Sequence, residues 1–182
     1  MIIVIGVAGV GKSTQCRLLA ESGNYQWLSV GQYLRDSVTD PEKKAIMLAG
    51  DRLDDDYVIT MTKNKIDQLG DSPELLIDGF PRSMHQAQWL IDSHSTNSIN
   101  ISCVIHLTAD EQVAKDRLEH RLRSDDTESA IVERFTDYKT NILPIIHSFL
   151  DAGIRVVDID GQQPIEQVQA DIRESLIKDK DV

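Results

Sequence analysis

A chain of 182 residues has room for one domain with a sizeable core, and 41% hydrophobic with 27% charged residues excludes both disorder and a fibrous repeat. A formal net charge of -11 argues against a protein whose main task is gripping nucleic acid, since a phosphate backbone calls for a concentrated basic surface. Cys16 and Cys103, the only cysteines, lack the spacing of a redox pair or a zinc site, so both are expected to be buried reduced thiols, with no zinc.

Ile2 to Ile5 is an apolar, β-branched run closed by Gly6, the pattern of a strand buried on both faces. It is too short to cross a membrane and carries no basic leader or cleavage site, which gives the expectation of a cytoplasmic protein with no membrane partner. A glycine-rich turn follows, then a predicted helix from Lys12 to about Glu21, with Cys16, Leu19 and Ala20 on one face and Gly23 and Asn24 as its stop. From Gly31 to Leu69 the pattern is helical with little strand signal, in the stretches Gly31 to Val38, Pro41 to Ala49 and Asp54 to Gln68. This segment reads as a helical insertion. Beyond it come a strand from Glu74 to Ile77, a helix from Met84 to Ile91, a polar loop from Ser93 to Asn100 and a strand from Ile101 to Leu107. A helix from Asp110 to Leu122 precedes a long helical stretch from Asp126 to Leu150, with a bend expected at Pro144. A strand from Ile154 to Ile159 and a helix from Pro164 to about Ile177 complete the pattern. Strands separated by helices that can cross over them imply an α/β fold with a parallel sheet.

Gly6 to Ser13 fits G-x-x-x-x-G-K-S between a strand and a helix, as a phosphate-binding loop requires. Its glycines let backbone N–H groups curl inward onto phosphate oxygens, and the helix N-terminus adds a favourable dipole. Lys12 would reach the β- and γ-phosphates, and Ser13 or Thr14 would place Mg2+ or its water shell. A bare glycine turn with a solvated Lys12 is the plainer alternative, and the flanking strand and helix speak against it. The loop alone names no reaction.

Asp78-Gly-Phe-Pro-Arg82 follows directly on a predicted strand, bringing a carboxylate and an arginine to the carboxyl edge of the sheet, where the glycine loop also lies. With it stand Gly9-Val-Gly-Lys-Ser-Thr-Gln15, Leu28 to Arg35, Gly50 to Asp55, Gln86, Asp116-Arg117 with Arg121, Arg123 to Asp126, Arg134 with Tyr138, and Asp160-Gly161. In this order, over almost the whole chain, these landmarks resemble the adenylate kinase family of nucleoside monophosphate kinases. The resemblance implies one phosphate-loop NTPase-type domain over residues 1–182, a parallel sheet flanked by helices. It also implies a helical acceptor-binding insertion at 31–69 and a vestigial lid at 121–126. The implied activity moves the γ-phosphoryl group of ATP, bound with Mg2+, to a nucleoside monophosphate, with AMP as the expected acceptor and a monomer as the expected state.

Carried over by position, the resemblance makes Gly9, Val10, Gly11, Lys12, Ser13, Thr14, Arg117, Arg121 and Gln163 the ATP site. Val30, Arg35, Arg52, Leu53, Gly79, Arg82, Gln86, Arg123 and Arg134 form the acceptor site. Lys12, Arg82, Arg121, Arg123 and Arg134 are the implied catalytic charges, and Ser13 and Asp78 the implied metal contacts, Asp78 through water. Arginines suit phosphate because the planar fork gives bidentate, charge-assisted bonds. No general base is expected, since the acceptor phosphate is already an anion, and the five histidines are assigned no chemistry. A solvated helix face is the plainer reading of Arg117, Arg121 and Arg134.

The chain departs from the family pattern at four places: Ser13 for a usual glycine, Ala8 for a frequent proline, Val30 for a threonine beside the acceptor base, and Gln32 for an aspartate near the metal. Base selectivity and metal ordering are the properties these changes touch. Only Leu122 separates Arg121 from Arg123, which leaves no space for a longer lid, and acceptor-independent ATP hydrolysis is the expected consequence. Two alternatives stay open at this stage: a small-molecule kinase of the gluconate or shikimate kind, and a non-catalytic nucleotide-binding module.

Overall fold

A computed structural model describes residues 1–70, 73–120 and 128–177. Five strands, β1 (Ile2–Gly6), β2 (Tyr25–Ser29), β3 (Glu74–Asp78), β4 (Cys103–Thr108) and β5 (Val156–Asp160), make one sheet in the order β2-β3-β1-β4-β5. Every pairing is parallel. The helices are α1 (Lys12–Glu21), α2 (Val30–Ser37), α3 (Pro41–Leu48), α4 (Asp55–Leu69), α5 (Met84–Ser95), α6 (Glu111–His120), α7 (Glu128–Asp137), α8 (Leu143–Asp151) and α9 (Ile165–Ile177).

Alternation along β1 divides the core in two. Ile3 and Ile5 enter one side, with Leu34 of α2, Ile59 of α4, Leu90 of α5 and Ile146 of α8. Ile2 and Val4 enter the other, with Leu19 of α1, Leu118 of α6, Phe135 of α7 and Ile172 of α9. The sheet is therefore covered on both faces, which is why β1 reads as a continuous apolar run rather than an alternating one. Each such fully buried Ile or Leu contributes about 1.5–3 kcal/mol relative to exposure.

Neighbouring strands β1 and β3 send their following helices, α1 and α5, to opposite faces. A crevice opens between the two loops at that point, the place where open α/β sheets take ligands. The segment 31–69, expected to be helical, carries most of α2 and all of α3 and α4. α2 and α4 pack on the core through Leu34, Val58 and Ile59, while α3 buries no residue.

Several elements differ from expectation. β2 is a fifth strand that the sequence pattern did not announce. α5 runs on to Ser95, into the stretch expected as loop, helped by the Gln88 amide donating to Asp92 at 2.8 Å one turn later. β4 starts at Cys103 rather than Ile101, because the Ile101 N–H donates to His94 Nδ1 instead of to the sheet. The bend expected at Pro144 falls just before it, as a π-helical turn over Tyr138–Ile142 between α7 and α8. Pro144 has no N–H to close the ordinary ring with Thr140, and Leu143 N–H reaches the Tyr138 carbonyl instead. The expected starts and ends at Asp126 and Leu122, and the lid at 121–126, lie outside the described residues. Among the described residues no helix is long and apolar enough to cross a membrane.

Candidate active site

One cleft of about 890 Å3 opens at the carboxyl edge of the sheet, between the loops that follow β1 and β3. Its size suits a small-molecule site. Gly9 in the first loop has φ +85°, and a Cβ there would lie 2.4 Å from the Ala114 carbonyl oxygen, so the loop presses on α6 as only glycine allows. Gly9, Val10, Gly11, Lys12, Ser13 and Thr14 all line the cleft. Lys12 folds over its own loop, Nζ donating to the carbonyls of Gly6 and Val7 at 2.8 Å each. Cys16, one turn into α1, has its thiol pKa pushed well up, first by burial and then by the Asp78 charge, with Lys12 opposing. Both cysteines are buried.

Arg117 of α6 joins this loop to the one after β5. Its Nη1 donates to the Gly161 carbonyl at 2.7 Å and to the Val10 carbonyl at 3.3 Å. Gly161 permits that approach, for a Cβ there would stand 2.6 Å from a Val10 methyl. Gln163 lines the same end of the cleft, its amide donating to the Asp160 carbonyl and to Asp171.

Across the cleft, Arg35 and Arg82 converge. A Cβ at Gly31 would lie 3.6 Å from Arg35 Nη1 and 3.9 Å from Arg82 Nη2, so both guanidinium groups reach over the same backbone. Gly79 sits beneath, its own Cβ position 3.6 Å from Arg82 Nη2. Arg134 of α7 lines the cleft too. The Arg82 side chain faces open space but is enclosed by the walls around it. Lost hydration and then the nearby charge of Arg52 lower its pKa, Arg134 adding and Asp137 and Asp78 opposing. A guanidinium remains charged at neutral pH even so, and such crowding is relieved by an incoming phosphate.

Asp78 is 4% exposed at the end of β3. Its carboxylate accepts from Ser29 Oγ and from Trp27 Nε1, each at 3.2 Å. Both donors come from β2, in register beside β3.

Four residues implied for the acceptor site are not on the cleft wall. Val30 and Leu53 are buried in the core. Gln86, 5% exposed, accepts from the Arg82 N–H at 2.8 Å and donates to Asp55 Oδ1 at 2.7 Å. Arg52 donates to the Arg82 carbonyl at 2.6 Å and pairs with Asp137. Arg121 and Arg123 lie outside the described residues.

Sequence reading passed over several residues that shape this site. Trp27 and Ser29 belong to the unannounced strand, and the two aromatics Tyr25 and Trp27 in five residues were the available signal. Asp55 carries Gln86 and also accepts from Ser83 Oγ at 2.7 Å. His106, assigned no chemistry, links Asp158 on Nδ1 to the Tyr138 hydroxyl on Nε2, 2.7 Å each, and Tyr138 lines the cleft.

A family model described as adenylate kinase matches residues 4–154. A protein named adenylate kinase from Nitrobacter hamburgensis is 30% identical over 186 residues, covering 94% of this chain and 89% of its own length. Proteins of the same name from Brucella ovis and Brucella canis are 31% identical over 192 residues, covering 97% of this chain and 98% of theirs. The sugar-acid kinase alternative does not survive matches of this extent. Phosphate loop and converging arginines stand in this cleft because the chain belongs to the adenylate kinase family, and it is a nucleoside monophosphate kinase.

Proposed function

We propose that this enzyme transfers the γ-phosphoryl group of ATP to AMP, yielding two ADP. The observation that carries the reading is the convergence of Arg35 and Arg82 opposite the loop that holds Lys12, in a single cleft. ATP would lie on the loop from Gly9 to Thr14, between Arg117 and Gln163, and the acceptor's phosphate between Arg35 and Arg82. The helical segment 31–69 is the acceptor-binding insertion in this reading. Arg134, with Arg121 and Arg123, would gather at the transferring group, where fixed positive charge stabilises the spread negative charge of the transition state.

Mg2+ fits the donor set: a buried carboxylate at Asp78 and the hydroxyl of Ser13 line the same cleft, the hard oxygens that this cation prefers. When bound it would neutralise charge on the β- and γ-phosphates. Lys12 would exchange its two loop carbonyls for phosphate oxygens, and the arginines would hold donor and acceptor in line. Positioning and electrostatics carry the reaction, with no side chain needed to take a proton.

Adenine as acceptor base is supported by the names of the relatives and by Gln86, four residues after Arg82. The amide is already bonded at both ends, so reading the base edge calls for exchange of its Asp55 contact. We also read the chain as a cytoplasmic monomer, and its charge of -11 disfavours a nucleic-acid partner. A coupled assay with ATP against AMP, CMP, UMP, dAMP, gluconate and shikimate tests the proposal. AMP is expected to give the highest kcat/KM. A larger value for CMP or UMP would overturn the adenine assignment, and no transfer to any monophosphate would overturn the activity.

A further inference from the structure

The geometry points to Trp27 as a positioning residue that aims the Asp78 carboxylate at the hydration shell of Mg2+. This inference rests on the reading of Asp78 as a metal-shell residue. Trp27 and Ser29 stand on the face of β2 that looks toward α1, and each gives one hydrogen bond of 3.2 Å to a different oxygen of Asp78. Two bonds to two oxygens fix the plane of the carboxylate. Both donors are neutral, so the negative charge stays available, and each oxygen keeps a lone pair for a water of the cation.

Trp27 is suited to this task by what it lacks. An indole N–H only donates. It can neither turn an oxygen toward the metal nor compete as a ligand, unlike an amide, and its ring, partly buried against the core of that face, cannot easily leave. The neighbouring Gln32 plays no such part: its amide N–H donates to Asp36 at 2.8 Å and its oxygen accepts from Arg35 Nη2 at 2.9 Å, so the side chain lies along α2. The two side chains that do bond to Asp78, Trp27 and Ser29, both belong to β2.

Trp27→Phe and Asp78→Asn, assayed for transfer over a range of free Mg2+ at saturating nucleotides, test the inference. Trp27→Phe is expected to raise the KM for Mg2+ about tenfold, the usual scale for losing an outer-shell partner, while the KM for AMP is unmoved. A lower kcat with an unchanged KM for Mg2+ would mean a merely structural role and overturn it. Wild-type Mg2+ dependence in Asp78→Asn would overturn the reading of Asp78 itself. An impaired Asp78→Asn beside a wild-type Trp27→Phe overturns the role of Trp27 alone.

A second measurement leaves Trp27 in place. The chain has two tryptophans, so Trp89→Phe makes Trp27 the sole indole emitter. Titrating Mg2+ into this variant with a non-hydrolysable ATP analogue is expected to shift or quench Trp27 emission, and Asp78→Asn in the same background to abolish the change. Emission insensitive to Mg2+ would overturn the inference.

Discussion

Arg82 is held at three points of its own frame. Gln86 takes its backbone N–H, Arg52 donates to its carbonyl, and its Nε donates to the Gly79 carbonyl at 3.1 Å. A guanidinium fixed this way meets a phosphate without first losing much rotamer freedom, which is how preorganised charge gains its effect. Arg82→Ala should lower kcat/KM by about 10²–10³ and leave the fold intact, checked by steady-state kinetics beside a thermal melt. Arg82→Lys should restore only part of the loss, because an ammonium lacks the planar fork. That Lys12, Arg35 and Arg82 meet at one cleft was legible in the sequence because each sits at a fixed offset within a short motif. Trp27, Asp55 and Asp137 were not, for their partners are fixed by strand register and by the docking of one segment on another, neither of which spacing along the chain encodes.

At the scale of elements, most of the layout was visible, and the strand that was not has a physical reason. β1, β3 and β4 are covered on both faces, so their residues form apolar runs. β2 is an edge strand in which only Leu28 is buried, and its five residues include Gln26 and Ser29, so neither a continuous run nor a clean alternation marks it. The π-helical turn escaped notice for a related reason: Pro144 signals a disturbance, not on which side of it the extra residue falls. The pair formed by Arg52 and Asp137 ties the loop ahead of α4 to the end of α7, the helix that carries Arg134. Both side chains are partly exposed, so the pair contributes less than about 1 kcal/mol. Asp137→Asn should therefore barely change stability yet raise the KM for AMP by about two- to fivefold, with the KM for ATP unmoved. Kinetics with each nucleotide varied in turn decides the matter, and equal changes in both constants would count against the tie.

For the whole molecule, the contrast is between an acidic body and a basic cleft. With a net charge of -11, the chain still brings Lys12, Arg35, Arg82, Arg117 and Arg134 to one site, because α1, α2, α6, α7 and the loop after β3 each carry one of them to the same cleft. Its stability should fail on the alkaline side. Tyr25 and Tyr138 have pKa values raised above 10.0, burial leading in both, with Glu74 next for Tyr25 and Asp158 next for Tyr138. The folded state favours the neutral phenol, so this contribution is intact below pH 10.0 and is lost as pH rises through the raised values. Melting temperature should fall more steeply above about pH 10 than between pH 7 and 9, and Tyr25→Phe should soften the fall.

The register of the sheet has a consequence for how the two ligands are carried. β1 matches β3 over three residue pairs, whereas β2 with β3, β1 with β4, and β4 with β5 each match over five. The phosphate loop, Arg117 and Gln163 follow β1, β4 and β5, whereas Arg35, Asp78 and Arg82 follow or end β2 and β3. With ATP and the acceptor placed as proposed, the phosphoryl group would cross the line of the sheet with the fewest paired residues, and a slight change of twist along that seam would alter the gap between donor and acceptor.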